Sequence, residues 1–162
     1  MPNEISTPRL RLRLVSPEEA ADLLLGRQDP ELPWAEGYPL EGTRDAARGL
    51  IFAAGAGEPG GFGMYQVIRL EDGHVVGDIG FHGPPARDGS VTVGYGIAAS
   101  ARRQGYATEA LRAIIDWALV QAGVFRVKAD TTHENLASRR VLEGAGMVLV
   151  GRDRRLRYYA IP

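Results

Sequence analysis

Residues 91–122, VTVGYGIAASARRQGYATEALRAIIDWALVQA, constrain the fold more than any other part of this chain. They open as a β-branched, glycine-broken apolar strand and turn through Arg102-Arg103-Gln104-Gly105-Tyr106-Ala107. They then run directly into an amphipathic helix, expected over 108–122. Its buried face is Leu111, Ile114, Ile115, Ala118 and Leu119, with Glu109, Arg112 and Asp116 outward and Gly123 as terminator. A strand, a cationic turn and a helix start make an anion site. Free backbone N–H groups and the helix dipole converge where a phosphate would sit.

The flanking segments supply strands for a sheet. Residues 9–15 alternate arginine and leucine, a half-buried strand with Leu10, Leu12 and Leu14 inward. Ser16-Pro17-Glu18-Glu19 reads as an N-cap, a first-turn proline and a capping-box glutamate, opening a short helix to about Leu25. Residues 26–42 form a loop holding Trp34, Glu36 and Tyr38, and Thr43 is expected to cap a second helix through Ala54. Strands over 63–70 and 74–81 flank the hairpin turn Glu71-Asp72-Gly73, and a third begins near Ser90, giving an antiparallel meander. The strand over 125–131 follows a crossover helix and is expected to pair in parallel. Asn135 caps a last helix to about Ala145 with Gly146 beyond it, and 147–152 and 156–161 close a hairpin. The fold class is α/β, a mixed sheet of about seven strands with about four helices, in one domain spanning 1–162.

Composition removes several function classes. Net charge is −1, so broad nucleic-acid binding is not expected. The arginines cluster at Arg9, Arg11 and Arg13 and again at Arg152, Arg154, Arg155 and Arg157, read as solvated strand faces. There is no cysteine, which removes a thiol nucleophile and a cysteine metal site; no metal is expected. No apolar run approaches membrane-spanning length and no secretory leader is read, so the expected location is cytoplasmic. The turn lacks the Walker phosphate-loop pattern and the glycine spacing of a dinucleotide fold.

The turn fits Arg/Gln-x-x-Gly-x-Gly/Ala as Arg102-x-x-Gly105-x-Ala107, and NLASRRVLEGAGM follows about 30 residues later. In this order the two motifs resemble the GNAT superfamily of N-acetyltransferases, and its ribosomal-protein-alanine (RimJ/RimL-like) branch in particular. TPRLRLRL and VVGDIGFHG are similar to that branch's first and third strands. The resemblance implies the GNAT acyl-CoA N-acyltransferase fold and acetyl-CoA as cofactor. It implies transfer of an acetyl group to a primary amine, a protein N-terminus or a small molecule, by direct attack in a ternary complex. A non-catalytic acyl-CoA-binding or sensing module of the same fold is the alternative. No membrane partner is implied, and the state is monomer or homodimer.

The resemblance also implies residue roles. Arg102, Arg103, Gln104, Gly105, Tyr106, Ala107 and Thr108 would hold the coenzyme pyrophosphate. The strand over 91–98, interrupted at Gly94 and Gly96, would splay from 125–131. Its backbone around Ile97, Ala98 and Ala99 would then pair with the pantetheine arm, and an N–H near Tyr95 or Gly96 would polarise the thioester carbonyl. Asn135 would bond the arm as well as cap its helix, and Ser138 would assist the departing thiol. A tyrosine that many relatives carry one turn later is Leu142 here. An acceptor base is needed, because a protonated amine cannot attack. Asp78 aligns with an acidic position of the branch; His82 and Glu36 are further candidates. Trp34 and Tyr38 either line an acceptor pocket with Glu36 and His82 or plug the core.

Overall fold

The computed structural model describes residues 4–57 and 60–161. Its frame is one eight-stranded sheet: β1 (Glu4–Ser6), β2 (Leu10–Leu14), β3 (Met64–Arg69), β4 (Val75–Phe81), β5 (Ser90–Ile97), β6 (Arg126–Thr132), β7 (Val148–Arg152) and β8 (Leu156–Ile161). The spatial order is β1-β2-β3-β4-β5-β6-β8-β7. Among the described residues β5 and β6 form the parallel pair, and the other neighbours run antiparallel. The count exceeds the expected seven because of β1. Its three residues carry no alternation to read and pair with β2 across the Thr7–Leu10 turn.

Four helices cover the sheet: α1 (Pro17–Leu24), α2 (Glu41–Ala54), α3 (Tyr106–Leu119) and α4 (Leu136–Gly144). Ser16 and Glu19 form the expected capping box on α1, a contribution of about 1 kcal/mol. Asn135 accepts the Ser138 N–H at 3.0 Å. The C-terminus of α4 is a Schellman motif, with Gly146 N–H on Glu143 and Met147 N–H on Leu142, and Gly146 in the left-handed region.

Two boundaries differ from expectation. The N-cap of α2 is Leu40, not Thr43; Thr43 is the third helical residue, and its hydroxyl accepts the Leu40 N–H at 3.0 Å. Helix α3 starts at Tyr106 and stops at Leu119, so Gly123 belongs to the following turn and Leu119 is 38% exposed rather than buried.

The core has two layers. Leu111, Ile114 and Ile115 of α3 pack with Leu10, Leu12, Val67 and Val127 against one sheet face, each fully buried side chain contributing about 1.5–3 kcal/mol. On the other face Leu23 of α1 and Ala47 and Leu50 of α2 pack on Ile68 and Val75. Tyr38 is buried in this second layer, and Trp34 packs on it edge-to-face at 5.9 Å.

Candidate functional site

The turn after β5 is built to leave donors free. A short 3₁₀ turn (Ala99–Ala101) leads to Arg103, a non-glycine residue at φ 64°, and Gly105 at φ 81°. A left-handed conformation costs an L-residue about 1–2 kcal/mol, so Arg103 stores strain in an exposed turn. Gly105 caps α3 without a side chain, and among the described residues nothing accepts the N–H groups of Tyr106, Ala107 and Thr108. Those donors and the helix dipole lie directly after the exposed Arg102 and Arg103 in the turn. Arg102 also braces the turn, its Nε donating to the Ile97 carbonyl at 2.9 Å.

A second support was hidden in the sequence. Arg9 Nη1 donates to the Gln104 carbonyl at 2.7 Å, and its guanidinium lies 4.6 Å over the Tyr106 ring. Glu109, in the first turn of α3, accepts from Arg9 Nε at 2.7 Å, from the Arg9 N–H at 2.9 Å and from the Thr7 hydroxyl. Arg9 is exposed, as a strand-face arginine should be, yet it is tied to Glu109, whose side chain is only 18% exposed. Arg9 and Thr7 together offset a carboxylate that would otherwise repel an anion at this helix start. Arg11 and Arg13 are half-buried rather than solvated: they face Glu4 and Glu19, and Arg11 Nε and Arg13 Nη1 are buried.

Next to the turn the sheet opens. β5 and β6 pair only through Ser90–Arg126, Val91–Val127 and Thr92–Lys128. Beyond that β6 continues with β8 as far as Thr132, while β5 stays with β4. The β5 edge from Val93 to Ile97 thus faces a cleft with no strand against it. The strand itself is unbroken, since its register with β4 runs from Phe81–Val93 to Gly77–Ile97 without a bulge. Gly94 and Gly96 do not interrupt it, contrary to expectation. They make room: a Cβ on Gly96 would come within 2.8 Å of Leu40 Cδ1, and one on Gly94 within 3.0 Å of His82 Nε2.

Tyr95 and Ser138 meet across the cleft, hydroxyl to hydroxyl at 2.7 Å. Burial pushes the Tyr95 phenol up, so it is a neutral donor in ordinary buffers. Leu142 is fully buried and offers no chemistry. Ala98 is buried and Ala99 exposed at the mouth of the cleft.

The opposite face of β5 borders a cavity of about 810 Å³ between α2 and β4–β5. Asp78 and His82 both line it. Asp78 sits beside Gly96 in the β4–β5 register, and its carboxylate takes the Thr43 hydroxyl at 2.5 Å. Burial pushes its carboxyl up to about 6, against the bond from Thr43 and the nearby Tyr38 hydroxyl, which draw it down. His82 is exposed at the cavity's outer end, its backbone N–H on the Thr92 carbonyl. Trp34, Glu36 and Tyr38 do not line this cavity. The Tyr38 hydroxyl is buried without a fully formed hydrogen bond, so the aromatic loop is a plug on the second core layer. Glu36 is exposed, and its carbonyl accepts the Ser100 hydroxyl at 2.6 Å, stapling that loop to the anion turn. Among the described residues no His, Asp and Glu group is arranged to hold a metal ion.

Known proteins resemble this chain in sequence and in fold. A family model described as an acetyltransferase (GNAT) domain matches residues 9–148. An N-acetyltransferase of Bacillus subtilis (strain 168), YjdG, itself uncharacterized, is 36% identical over 89 residues, which is 55% of this chain and 53% of that protein. The match therefore spans about half the length of that relative. The microcin C7 self-immunity acetyltransferase MccE, solved with acetyl-CoA and AMP, superposes with a TM-score of 0.71 at 13% identity, over 99% of this chain and 97% of that one. RimL, a ribosomal alpha-N-protein acetyltransferase solved with coenzyme A, gives 0.69 at 19% identity, over 98% and 97%. At these identities the likeness to the two structures is one of fold.

Proposed function

The chain belongs to the GNAT family of acetyltransferases, and we propose that it is a RimJ/RimL-like N-acetyltransferase that moves an acetyl group from acetyl-CoA to a primary amine in a ternary complex. Residues 1–162 are read as one catalytic domain working in the cytoplasm. Acetyl-CoA is the family's cofactor, and bound it supplies an acetyl thioester that a neutral amine can take directly.

The residues present suit that cofactor. The unpaired N–H groups of Tyr106, Ala107 and Thr108, with Gln104 and Gly105 in the turn, form the pyrophosphate seat. Arg102 and Arg103 add charge-assisted bonds. The free edge of β5 at Tyr95, Ile97, Ala98 and Ala99 offers backbone partners to an extended arm, and Asn135 borders the same cleft. Ser138, held by Tyr95, presents a hydroxyl as hydrogen-bond donor toward the sulfur. Asp78, across β5 from the cleft, accepts the proton of the incoming ammonium. Its carboxyl at about 6 is ionised at neutral pH yet basic enough for that task.

One observation carries this reading: β5 is bordered by a phosphate-seating turn and open cleft on one side and by a cavity containing a buried carboxylate on the other. The test is release of free coenzyme A with pooled amines and N-terminal peptides, read with a thiol reagent. The chain contains no cysteine, so the protein adds no background. Turnover in the parent and loss of coenzyme binding in Arg102→Ala with Gly105→Trp are expected. Undiminished binding in that double variant removes the site assignment.

A further inference from the structure

The cavity beside Asp78 restricts which amine can enter. Helix α2 turns a row of small residues toward it: Gly42, Ala46, Gly49 and Ala53, at the four- and three-residue spacing of one helical face. Gly94 and Gly96 do the same from the sheet, and Gly80 beside them lies close against the Gly63–Met64 backbone. Leu50, Phe62, Met64 and Phe81 make up much of the remaining wall. The volume of about 810 Å³ is thus cut out by missing side chains on both walls, which is the size range of small-molecule sites.

The charge inventory is as restrictive as the shape. Among the described residues no lysine or arginine lines the cavity, and its carboxylate and imidazole groups are Asp45, Asp78 and His82. Asp45 is engaged at the surface with Arg48 at 3.0 Å. A free amino acid would carry its carboxylate one carbon from the amine, next to Asp78 and with no cation to receive it. A polyamine would have to place its second ammonium against Asp45, already engaged by Arg48, or among leucine, methionine and phenylalanine side chains. A peptide chain threaded inward would bury amide groups against β4 and β5, whose backbones in this stretch are already paired with each other.

Resting on the acetyltransferase reading, we propose that the acceptor is an apolar primary monoamine, an alkyl- or arylalkylamine. Its nitrogen lies at Asp78 and its body along the Gly42–Ala46–Gly49–Ala53 face of α2. The ammonium finds the buried Asp78 carboxylate, and the apolar body leaves water for a wall of carbon.

Thiol release at saturating acetyl-CoA tests this with matched pairs: tryptamine against L-tryptophan and 2-phenylethylamine against L-phenylalanine, beside spermidine and a phenylalanine-initiated peptide. We expect kcat/KM for each arylalkylamine to exceed that of its amino acid, of spermidine and of the peptide by about tenfold or more, about 1.4 kcal/mol. Any smaller ratio, or no turnover of the monoamines by a protein that binds acetyl-CoA calorimetrically, overturns the inference. Absence of acetyl-CoA binding would instead overturn the acetyltransferase reading. The variant Gly49→Leu sharpens the result. No atom lies within 4 Å of a Cβ at Gly49, and replacing a mid-helix glycine favours the helix. The ratio of tryptamine to ethylamine turnover should fall about fivefold in this variant; an unchanged ratio places the amine elsewhere.

Discussion

Replacing Asp78 by asparagine should make the protein more stable and nearly inactive at once. The carboxyl is 6% exposed, and burial raises it from 3.8 to about 6. A folded-state value above the unfolded one means that the native protein holds the proton more tightly. The group's stabilising effect is full below 3.8, declines as pH rises toward 6, and is absent above it. With about 1.4 kcal/mol per unit, ionised Asp78 costs the fold about 3 kcal/mol at pH 8. Asparagine keeps an acceptor for the Thr43 hydroxyl and carries no charge, but its amide N–H₂ needs partners of its own. A net gain of about 1–3 kcal/mol at pH 8 is expected, shrinking toward zero or reversing near pH 4. For a chain of this size that is a rise in Tm of about 3–10 °C. Urea unfolding of parent and variant at pH 4.5, 6 and 8 reads the difference with other titrating groups cancelled. Acetyl transfer should fall by about 10² or more, and the parent's rate should climb with pH around a midpoint near 6. A variant no more stable than the parent at pH 8, with a pH-independent gap, would refute the assignment of a buried, strained charge. An intact rate would refute its role as base.

Three further outcomes follow from the anion turn and the cleft. Gly105→Ala puts a side chain on a left-handed residue and a Cβ 3.2 Å from Arg9 Nη2. Calorimetry should show coenzyme A affinity down about tenfold, and unfolding a loss of about 1–2 kcal/mol. Glu109→Gln removes a negative charge from beside the proposed pyrophosphate seat and leaves Arg9 uncompensated, so affinity for coenzyme A should rise several-fold while that for pantetheine, which lacks the pyrophosphate, stays level. Burial raises the Glu109 carboxyl, but the bonds from Thr7 and Arg9 outweigh it and hold the group below its ordinary range. Its contribution is therefore present near neutrality and lost on acidification, and parent and Glu109→Gln should converge in stability in acid. Tyr95→Phe leaves Ser138 without its hydroxyl partner; kcat should fall about 3–10-fold with the KM for acetyl-CoA unmoved, and adding Ser138→Ala should cost little more.

What could be read from the amino-acid string was what is local. The Ser16–Glu19 box, the Asn135 cap, the Gly146 terminator and the turn at Gly73 each satisfy backbone groups within a few residues, so composition and spacing reveal them. Thr43 shows the limit of that code. A threonine can cap a helix or, three residues in, accept the cap's own N–H, and only the position of Leu40 against the sheet decides. Trp34 and Tyr38 were ambiguous because a loop aromatic lines a pocket or fills a core according to what lies beneath it. The Arg9–Glu109 contact was invisible because it joins positions 100 residues apart. The parting of β5 from β6 is likewise a matter of register, which the strands' own residues do not spell out.

The bond from Thr7 and Arg9 to Glu109 and Gln104 has a consequence for how the chain assembles. The proposed phosphate seat lies on a helix from the middle of the sequence, yet it is braced by the turn between the first two strands. Closing so long a loop is an entropically late event, so the seat is finished only when β2 has joined the sheet. Coenzyme should accordingly have little affinity for a partly folded chain still missing that strand. Its protection would spread over the whole sheet rather than the turn alone, and amide exchange in β2 would slow on binding along with that in α3.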